Sequence, residues 1–110
     1  MAITVSDIKT HNHESPLGLY KGFWTAKATL SFASITAGAW DSGTITITGV
    51  DLGDHVVSYG LNLDPEENIF IYNVLITAAD TVTLSVYNES GSGDTPAPTE
   101  IKLVVGRPQW

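Results

Sequence analysis

The chain contains no cysteine, only one methionine and few charges for its length. Without cysteine, neither disulfide bonds nor a thiolate metal site can stabilise the fold, so stability must come from packing or from partners. Charged residues make up 15% of the 110 residues and apolar residues 43%. This balance is typical of a globular protein and not of a disordered chain, and the length predicts a single domain.

Long apolar runs and basic clusters are also missing. No segment approaches the ~20 apolar residues needed to cross a bilayer, and residues 1–7 lack a basic stretch followed by an apolar one. We therefore expect no membrane partner and synthesis in the cytoplasm. The five basic residues are scattered along the sequence, and the net charge of −7 would repel phosphates. Nucleic acid is therefore not expected as a partner.

Alternation of apolar and polar residues is the main pattern that the chain does contain. In residues 43–48, Ile45 and Ile47 fall on one face of a strand and threonines fall on the other. The same pattern recurs, less regularly in the second case, in residues 25–32, 55–61, 80–87 and 100–105. Turns rich in Gly, Asp and Asn separate these segments. We predict an all-β fold, a small antiparallel β-sandwich or jelly-roll-like domain, over residues 25–110.

One further segment, residues 68–77, is apolar on both faces. Such a strand is either central in its sheet or covered on its outer side by a partner or by the N-terminal segment. It is preceded by Asp64-Pro65-Glu66-Glu67, a helix-start signal with room for about one turn. We therefore predict six strands and one short turn of helical character.

Residues 1–24 lack the regular alternation and mix polar residues, Gly and Pro with large apolar residues. We interpret this region as an extended N-terminal arm, within which residues 3–10 are compatible with a short strand. Its apolar side chains favour burial over free solvation, either on the arm's own sandwich or on a neighbouring molecule. Together with the last residue of the chain, they are the candidate interface residues: Leu17, Leu19, Tyr20, Phe23, Trp24 and Trp110. Trp40, in a Gly-rich turn, is predicted to cap the core.

Side chains with the potential for chemistry are few. His11, His13 and Glu14 form the only metal-like cluster, but histidines in a polar segment are usually solvated, and the aspartates in the turns do not form a calcium loop. His55 stands in no recognisable catalytic motif. Asn88-Glu89-Ser90 matches a glycosylation acceptor, a pattern frequent by chance. We expect no catalytic residues, no metal site, no cofactor and no enzymatic activity.

Two segments carry motifs that point to a family. The first, residues 33–56, contains Ser34-Ile35-Thr36-Ala37-Gly38 and Gly49-Val50-Asp51-Leu52-Gly53-Asp54-His55-Val56. The second, residues 74–91, contains Ala78-Ala79-Asp80-Thr81-Val82-Thr83 and Asn88-Glu89-Ser90-Gly91. These turns and strands resemble those of small tailed-phage virion proteins. The resemblance implies a β-sandwich at the virion surface, as in capsid decoration (cement) proteins and modules of head or tail fibres.

Two functions follow as hypotheses. The first is a structural virion protein that decorates and stabilises the outside of a bacteriophage capsid by protein–protein contacts. In that case its partner is the major capsid protein or another virion protein, it forms a homo-oligomer, expected to be a trimer, and it is located in the virion. The second is a host-recognition module of a tail or head fibre that binds glycan through Trp and Tyr side chains.

Overall fold

The structure is a computed structural model that describes residues 3–13, 20–61 and 69–109. These residues form seven β-strands and no helix. The strands are β1 (Ile3–His13), β2 (Tyr20–Phe32), β3 (Trp40–Thr46), β4 (His55–Gly60), β5 (Ile69–Ala78), β6 (Thr81–Asn88) and β7 (Thr99–Pro108). They build a four-stranded sheet with the order β1-β2-β7-β4 and a three-stranded sheet with the order β3-β6-β5, and all neighbours are antiparallel. The predicted all-β fold, consistent with a small β-sandwich, is confirmed.

The core lies between the two sheets and follows from the alternation in the sequence. Val82, Leu84 and Val86 of β6 are fully buried, and they face the equally buried Ile101 and Val105 of β7 across the interior. Every second residue of these strands points inward because strand side chains alternate between faces. Fully burying one such side chain contributes about 1.5–3 kcal/mol. The apolar alternation in residues 80–87 and 100–105 thus corresponds to the buried faces of β6 and β7.

The N-terminal region differs from the predicted arm. Ile3–His13 forms strand β1, and β2 begins at Tyr20 rather than at Thr25, so both belong to the four-stranded sheet. Ile3 is 4% exposed and belongs to the core, whereas nearly all of the remaining β1 side chains are exposed. The sequence pattern of residues 3–10 is compatible with a strand but does not require one, because an edge strand exposed on both faces has no need of apolar alternation. The described part of residues 1–24 is therefore sheet and not a separate arm.

Of the two alternatives for the strand that is apolar on both faces, the structure contradicts the central position and leaves the covered outer face as a prediction. This strand, β5, is an edge strand of the three-stranded sheet, paired only with β6 among the described strands. Its inward residues Ile69 and Ile76 are buried, but Phe70, Tyr72 and Leu75 are between 43% and 65% exposed. Its second apolar face therefore lies open in the isolated chain. The helical-turn signal at residues 64–67 lies outside the described residues.

The two turn motifs contact each other directly. The β5–β6 hairpin turns at Ala79 and Asp80, where Asp80 has a φ of +60°. The Asp80 carboxylate accepts a hydrogen bond of 2.8 Å from the Gly49 N–H, and the Asp80 N–H donates one of 2.8 Å to the Val50 carbonyl. Aspartate tolerates this left-handed backbone conformation because its short side chain can form hydrogen bonds to nearby backbone groups. The hairpin turn is thereby fixed to the turn that follows β3.

Candidate binding surfaces

Antiparallel pairing places three aromatic residues in one line across the outer face of the three-stranded sheet. Trp40 of β3 lies opposite Tyr87 of β6, and Tyr87 lies opposite Phe70 of β5. The Phe70 and Tyr87 ring centres are 5.6 Å apart with the rings tilted by 50°, a favourable aromatic contact. We call Trp40, Tyr87 and Phe70 the aromatic row. The three residues are far apart in the sequence, and only the strand register brings them together.

The aromatic row is open to solvent. Trp40 is 63% exposed, and Tyr72, which sits at a register shift of β5 beside Phe70, is 65% exposed. The prediction that Trp40 caps the core is therefore wrong, because the residue points to the outside of its strand. Contiguous exposed apolar patches often mark binding sites, and aromatic residues are enriched at protein interfaces.

Small polar residues continue the same face beyond the aromatic row. Ser42, Ser85 and Asn73 form the next line across the three strands, but Ser85 is only 5% exposed and the Asn73 side-chain oxygen is buried. Further along, the hydroxyls of Thr77 and Thr83 share a hydrogen bond of 2.7 Å. The face thus has an aromatic end and a hydroxyl-rich end, an arrangement suited to recognition of an amphipathic surface.

The outer face of the four-stranded sheet carries a line of positive charge. Lys9 of β1 lies opposite Lys27 of β2, and Lys27 lies opposite Lys102 of β7. A depression of about 550 Å³ extends from these residues across the sheet to β4. We call it the lysine groove, lined among others by Lys9, His11, Lys27, Ser58, Tyr59 and Lys102. The impression from the sequence that the basic residues form no stripe is wrong, because pairing of distant strands creates one.

The histidines that suggested a metal site lie next to this groove. His11 and His13 have ring centres 5.9 Å apart, and His13 Nε2 lies 3.0 Å from the Thr25 hydroxyl oxygen. Within residues 3–13, 20–61 and 69–109, no group of three His, Cys, Asp or Glu side chains is placed to hold a metal ion. Glu14, the third suggested ligand, lies outside the described residues. His55 is exposed at the start of β4.

The candidate interface residues are distributed differently from the prediction. Trp24 is 4% exposed and belongs to the core, so it is not available to a partner. Tyr20 and Phe23 are partly buried and contact each other, with ring centres 5.0 Å apart. The Tyr20 ring lies flat against Gly106, where an added Cβ would stand 2.8 Å from Cδ1 of the ring. Leu17, Leu19 and Trp110 lie outside the described residues.

An ion pair between the buried Asp54 and the partly exposed Arg107 lies on the surface side of Trp24. The Arg107 guanidinium donates hydrogen bonds of 2.9 Å to both carboxylate oxygens of Asp54 and one to the Gly49 carbonyl. Burial alone would raise the pKa of Asp54, but the hydrogen bonds from Arg107 and the Asp51 N–H, with the Arg107 and His55 charges, lower it below its ordinary value. The same pairing raises the pKa of Arg107. The cluster is a structural clamp at the end of the sandwich.

Asn88 is a second structural centre. It is fully buried, and its amide nitrogen donates hydrogen bonds of 2.8 Å to the Ile35 carbonyl and 3.0 Å to the Ser92 carbonyl. Its side-chain oxygen accepts bonds from the Ser90 N–H and the Ser90 hydroxyl. This asparagine therefore organises the loop after β6, and its amide is not accessible as a glycosylation acceptor.

No protein-family model, curated protein or solved structure matches this chain. The part of the chain that the structure describes contains no helix long and apolar enough to cross a membrane. The features that indicate function are therefore those on the two outer faces of the sandwich: the aromatic row on one face and the lysine groove on the other.

Proposed function

We propose that this chain is a non-catalytic structural protein of a bacteriophage particle, which decorates and stabilises the outside of the capsid through protein–protein contacts. The turn and strand motifs of residues 33–91 support the phage assignment by their resemblance to virion surface proteins. A binding role fits a chain whose prominent surface features are exposed aromatic and cationic side chains.

The observation that carries the proposal is the aromatic row. Trp and Tyr are enriched at the energetic centres of protein interfaces, where large rigid rings exclude water. Trp40, Phe70 and Tyr72 expose their rings on one sheet face, and Leu75 extends the apolar surface along β5. The proposed partner of this face is the major capsid protein or a neighbouring virion protein.

Self-association is a further part of the proposal. Tyr20 and Phe23 form an aromatic pair at the end of the four-stranded sheet that is only partly buried within the chain. We assign this pair to contacts between copies in a homo-oligomer, a trimer, on the virion surface. Sedimentation of the purified protein, with Phe23→Ser as the variant, measures this directly; a wild-type monomer at micromolar concentration would contradict it.

The capsid contact is tested by co-sedimentation with undecorated capsids assembled from the proposed partner, a major capsid protein. Trp40→Ala and Phe70→Ala should each weaken binding by at least tenfold, since truncating an interface hot spot costs about 2 kcal/mol or more. Leu52→Ala is the matched control, because Leu52 is 66% exposed but lies in a turn away from the aromatic row. Unchanged binding of both aromatic variants would overturn this assignment.

A second candidate function is host recognition by a fibre module that binds glycan. The specific observation in its favour is that the face of the aromatic row also carries the exposed hydroxyl pair of Thr77 and Thr83. Flat rings and hydroxyl groups on one face suit the apolar and polar faces of a sugar. Copy number on the particle separates the two roles: hundreds of copies support decoration, and tens support a fibre.

A further inference from the structure

We propose that the lysine groove is a binding site for an acidic glycan, a saccharide that carries carboxylate or sulfate groups. The site lies on the outer face of the four-stranded sheet, away from the aromatic row. It therefore goes beyond the proposed capsid attachment and does not depend on it.

The charge of the groove is the first argument. Three of the five basic residues of the chain, Lys9, Lys27 and Lys102, stand side by side although the net charge is −7. One carboxylate, that of Glu100, lies 3.8 Å from the Lys27 amine and 3.7 Å from the Lys102 amine. Among the described residues, Lys9 has no acidic group within ion-pair distance, and no acidic residue lines the groove. The face therefore keeps an excess of positive charge.

The shape of the groove is the second argument. Its volume of about 550 Å³ lies in the range of small-ligand sites. The floor includes Thr25 and Val104, and the His11 ring and the Ser58 side chain stand at opposite sides. Lysine stems add apolar surface while their amines stay in water. A ligand with both apolar ring faces and charged groups matches this combination.

Other anionic partners fit less well. A long polyanion such as nucleic acid would be repelled by the remainder of an acidic chain. A short saccharide places its few charges close to the lysines. Acidic residues that are farther from it than the Debye length, about 8 Å at physiological salt, are largely screened from these charges. An acidic peptide would add to a sheet edge, β1 or β4, through its backbone, whereas the groove crosses the sheet face.

The position of the groove would leave it accessible to a ligand while the protein is attached to the capsid. The two outer faces of a sandwich point in opposite directions. A copy fixed to a capsid through the aromatic row would present the lysine groove outward, toward the acidic glycans of a cell surface. Attachment and glycan binding would then use different residues of the same small domain.

The experiment is titration of the full-length protein with defined tetrasaccharides, followed by calorimetry or NMR chemical shifts. One ligand carries sulfates, one carries uronic acid carboxylates, and one is neutral. The variant is the triple substitution Lys9→Gln, Lys27→Gln and Lys102→Gln. The matched control is Lys21→Gln, which removes one charge from an exposed position of β2 outside the groove. Far-ultraviolet circular dichroism verifies that each variant is folded.

We expect at least one acidic ligand to bind and the neutral one not to bind. The triple variant should lose tenfold or more in affinity, which corresponds to about two- to fivefold for each lysine, and added salt should weaken binding in parallel. Lys21→Gln should bind as the wild type does. Equal binding of the neutral ligand, wild-type affinity in the triple variant, or no binding of either acidic ligand would overturn the site. Capsid binding should survive in the triple variant, which keeps this test separate from that of the proposed function.

Discussion

Arg107 holds Asp54 in a two-pronged contact, with its Nε and Nη2 atoms each 2.9 Å from a different carboxylate oxygen. The Asp54 side chain is 4% exposed, whereas that of Arg107 is 36% exposed. The Cζ atom of Arg107 also lies 4.9 Å from the centre of the Trp24 ring, a cation–π contact. Arg107 of β7 thus contacts both Asp54, in the turn before β4, and Trp24, a core residue of β2.

We predict that Asp54→Asn destabilises the fold by about 1–2 kcal/mol at pH 7. Hydrogen bonds to charged groups contribute about 1.5–3 kcal/mol, and the partial exposure of Arg107 reduces this. Because folding lowers the pKa of Asp54, its stabilising contribution is present above the unfolded pKa of about 3.9 and is lost as the pH falls through the folded pKa.

The measurement is urea unfolding of the wild type and Asp54→Asn at pH 7 and at pH 3. The difference in free energy of unfolding between them should shrink at the lower pH. Glu89→Gln, the same change of charge at an exposed position after β6, should have little effect at either pH. A difference between wild type and Asp54→Asn that does not depend on pH would contradict the assignment.

Gly49 illustrates a position where glycine is required for two separate reasons. Its φ is +104°, and a Cβ added there would stand 2.9 Å from Nε1 of the buried Trp24 ring. Gly53 has a similar φ of +95°, but an added Cβ would meet no atom within 4 Å. Comparison of the two alanine variants therefore separates backbone strain from steric clash.

We predict that Gly53→Ala costs about 1–2 kcal/mol from backbone strain alone, and that Gly49→Ala costs about 1–3 kcal/mol more, because the core must shift to accommodate the methyl group. Urea midpoints give both values, and near-ultraviolet circular dichroism should change for Gly49→Ala as Trp24 moves. Equal losses of stability in the two variants would show that the approach to Trp24 has no energetic importance.

Asn88 offers a third prediction, since it uses both amide hydrogens and its oxygen inside the loop after β6. Asn88→Ala removes four hydrogen bonds: those to the Ile35 and Ser92 carbonyls, which keep the Asp94 N–H and the Ser90 hydroxyl as second donors, and those from the Ser90 N–H and hydroxyl. A typical hydrogen bond contributes about 0.5–1.5 kcal/mol net, so we expect a loss of about 2–4 kcal/mol. Ser90→Ala keeps the asparagine and should cost about 1 kcal/mol.

Thermal and urea unfolding measure these losses. Expression in a glycosylating host adds an independent readout, because a buried Asn88 should carry no glycan even though Asn88-Glu89-Ser90 matches the acceptor pattern. Mass spectrometry of the secreted protein would reveal a modified Asn88 if this side chain were accessible. A mild effect of Asn88→Ala, similar to that of Ser90→Ala, would contradict its central role.

The sequence predicts this fold best where one face of a strand is buried. In β6 and β7 every second residue is apolar, and these strands were located correctly because alternation reports burial on one side. The pattern of residues 3–10 is compatible with a strand but does not determine one, because β1 is an edge strand whose only buried side chain is Ile3. Strand β5 was located, but its place at a sheet edge depends on pairing that no local pattern encodes.

The candidate binding surfaces could not be predicted for the same reason. Lys9, Lys27 and Lys102 are neighbours only because β1, β2 and β7 pair in one particular register. A shift of one residue in that register would move each lysine to the opposite face. The aromatic row depends in the same way on the pairing of β3, β5 and β6. Surface chemistry that is assembled from distant strands has no sequence motif of its own.

The last prediction concerns Ile3, through which β1 closes the sandwich. Ile3 is 4% exposed and packs against β3, where a Cβ added to Gly43 would stand 2.9 Å from Cγ2 of Ile3. A side chain larger than that of glycine at position 43 would therefore collide with Ile3. The first described residue of the chain is therefore a part of the core that joins the two sheets.

We predict that Ile3→Ala destabilises the protein by about 2–4 kcal/mol, as deletion of buried aliphatic groups does in other cores. Ile8→Ala is the matched control on the same strand, because Ile8 is 37% exposed, and it should cost less than about 0.5 kcal/mol. Deletion of residues 1–22 removes all of β1 and the start of β2, so we expect it to unfold the domain or to lower its stability by several kcal/mol. Circular dichroism with urea titration measures all three variants. A truncated protein as stable as the full chain, or equal effects of Ile3→Ala and Ile8→Ala, would show that this segment is an appendage and not a structural strand.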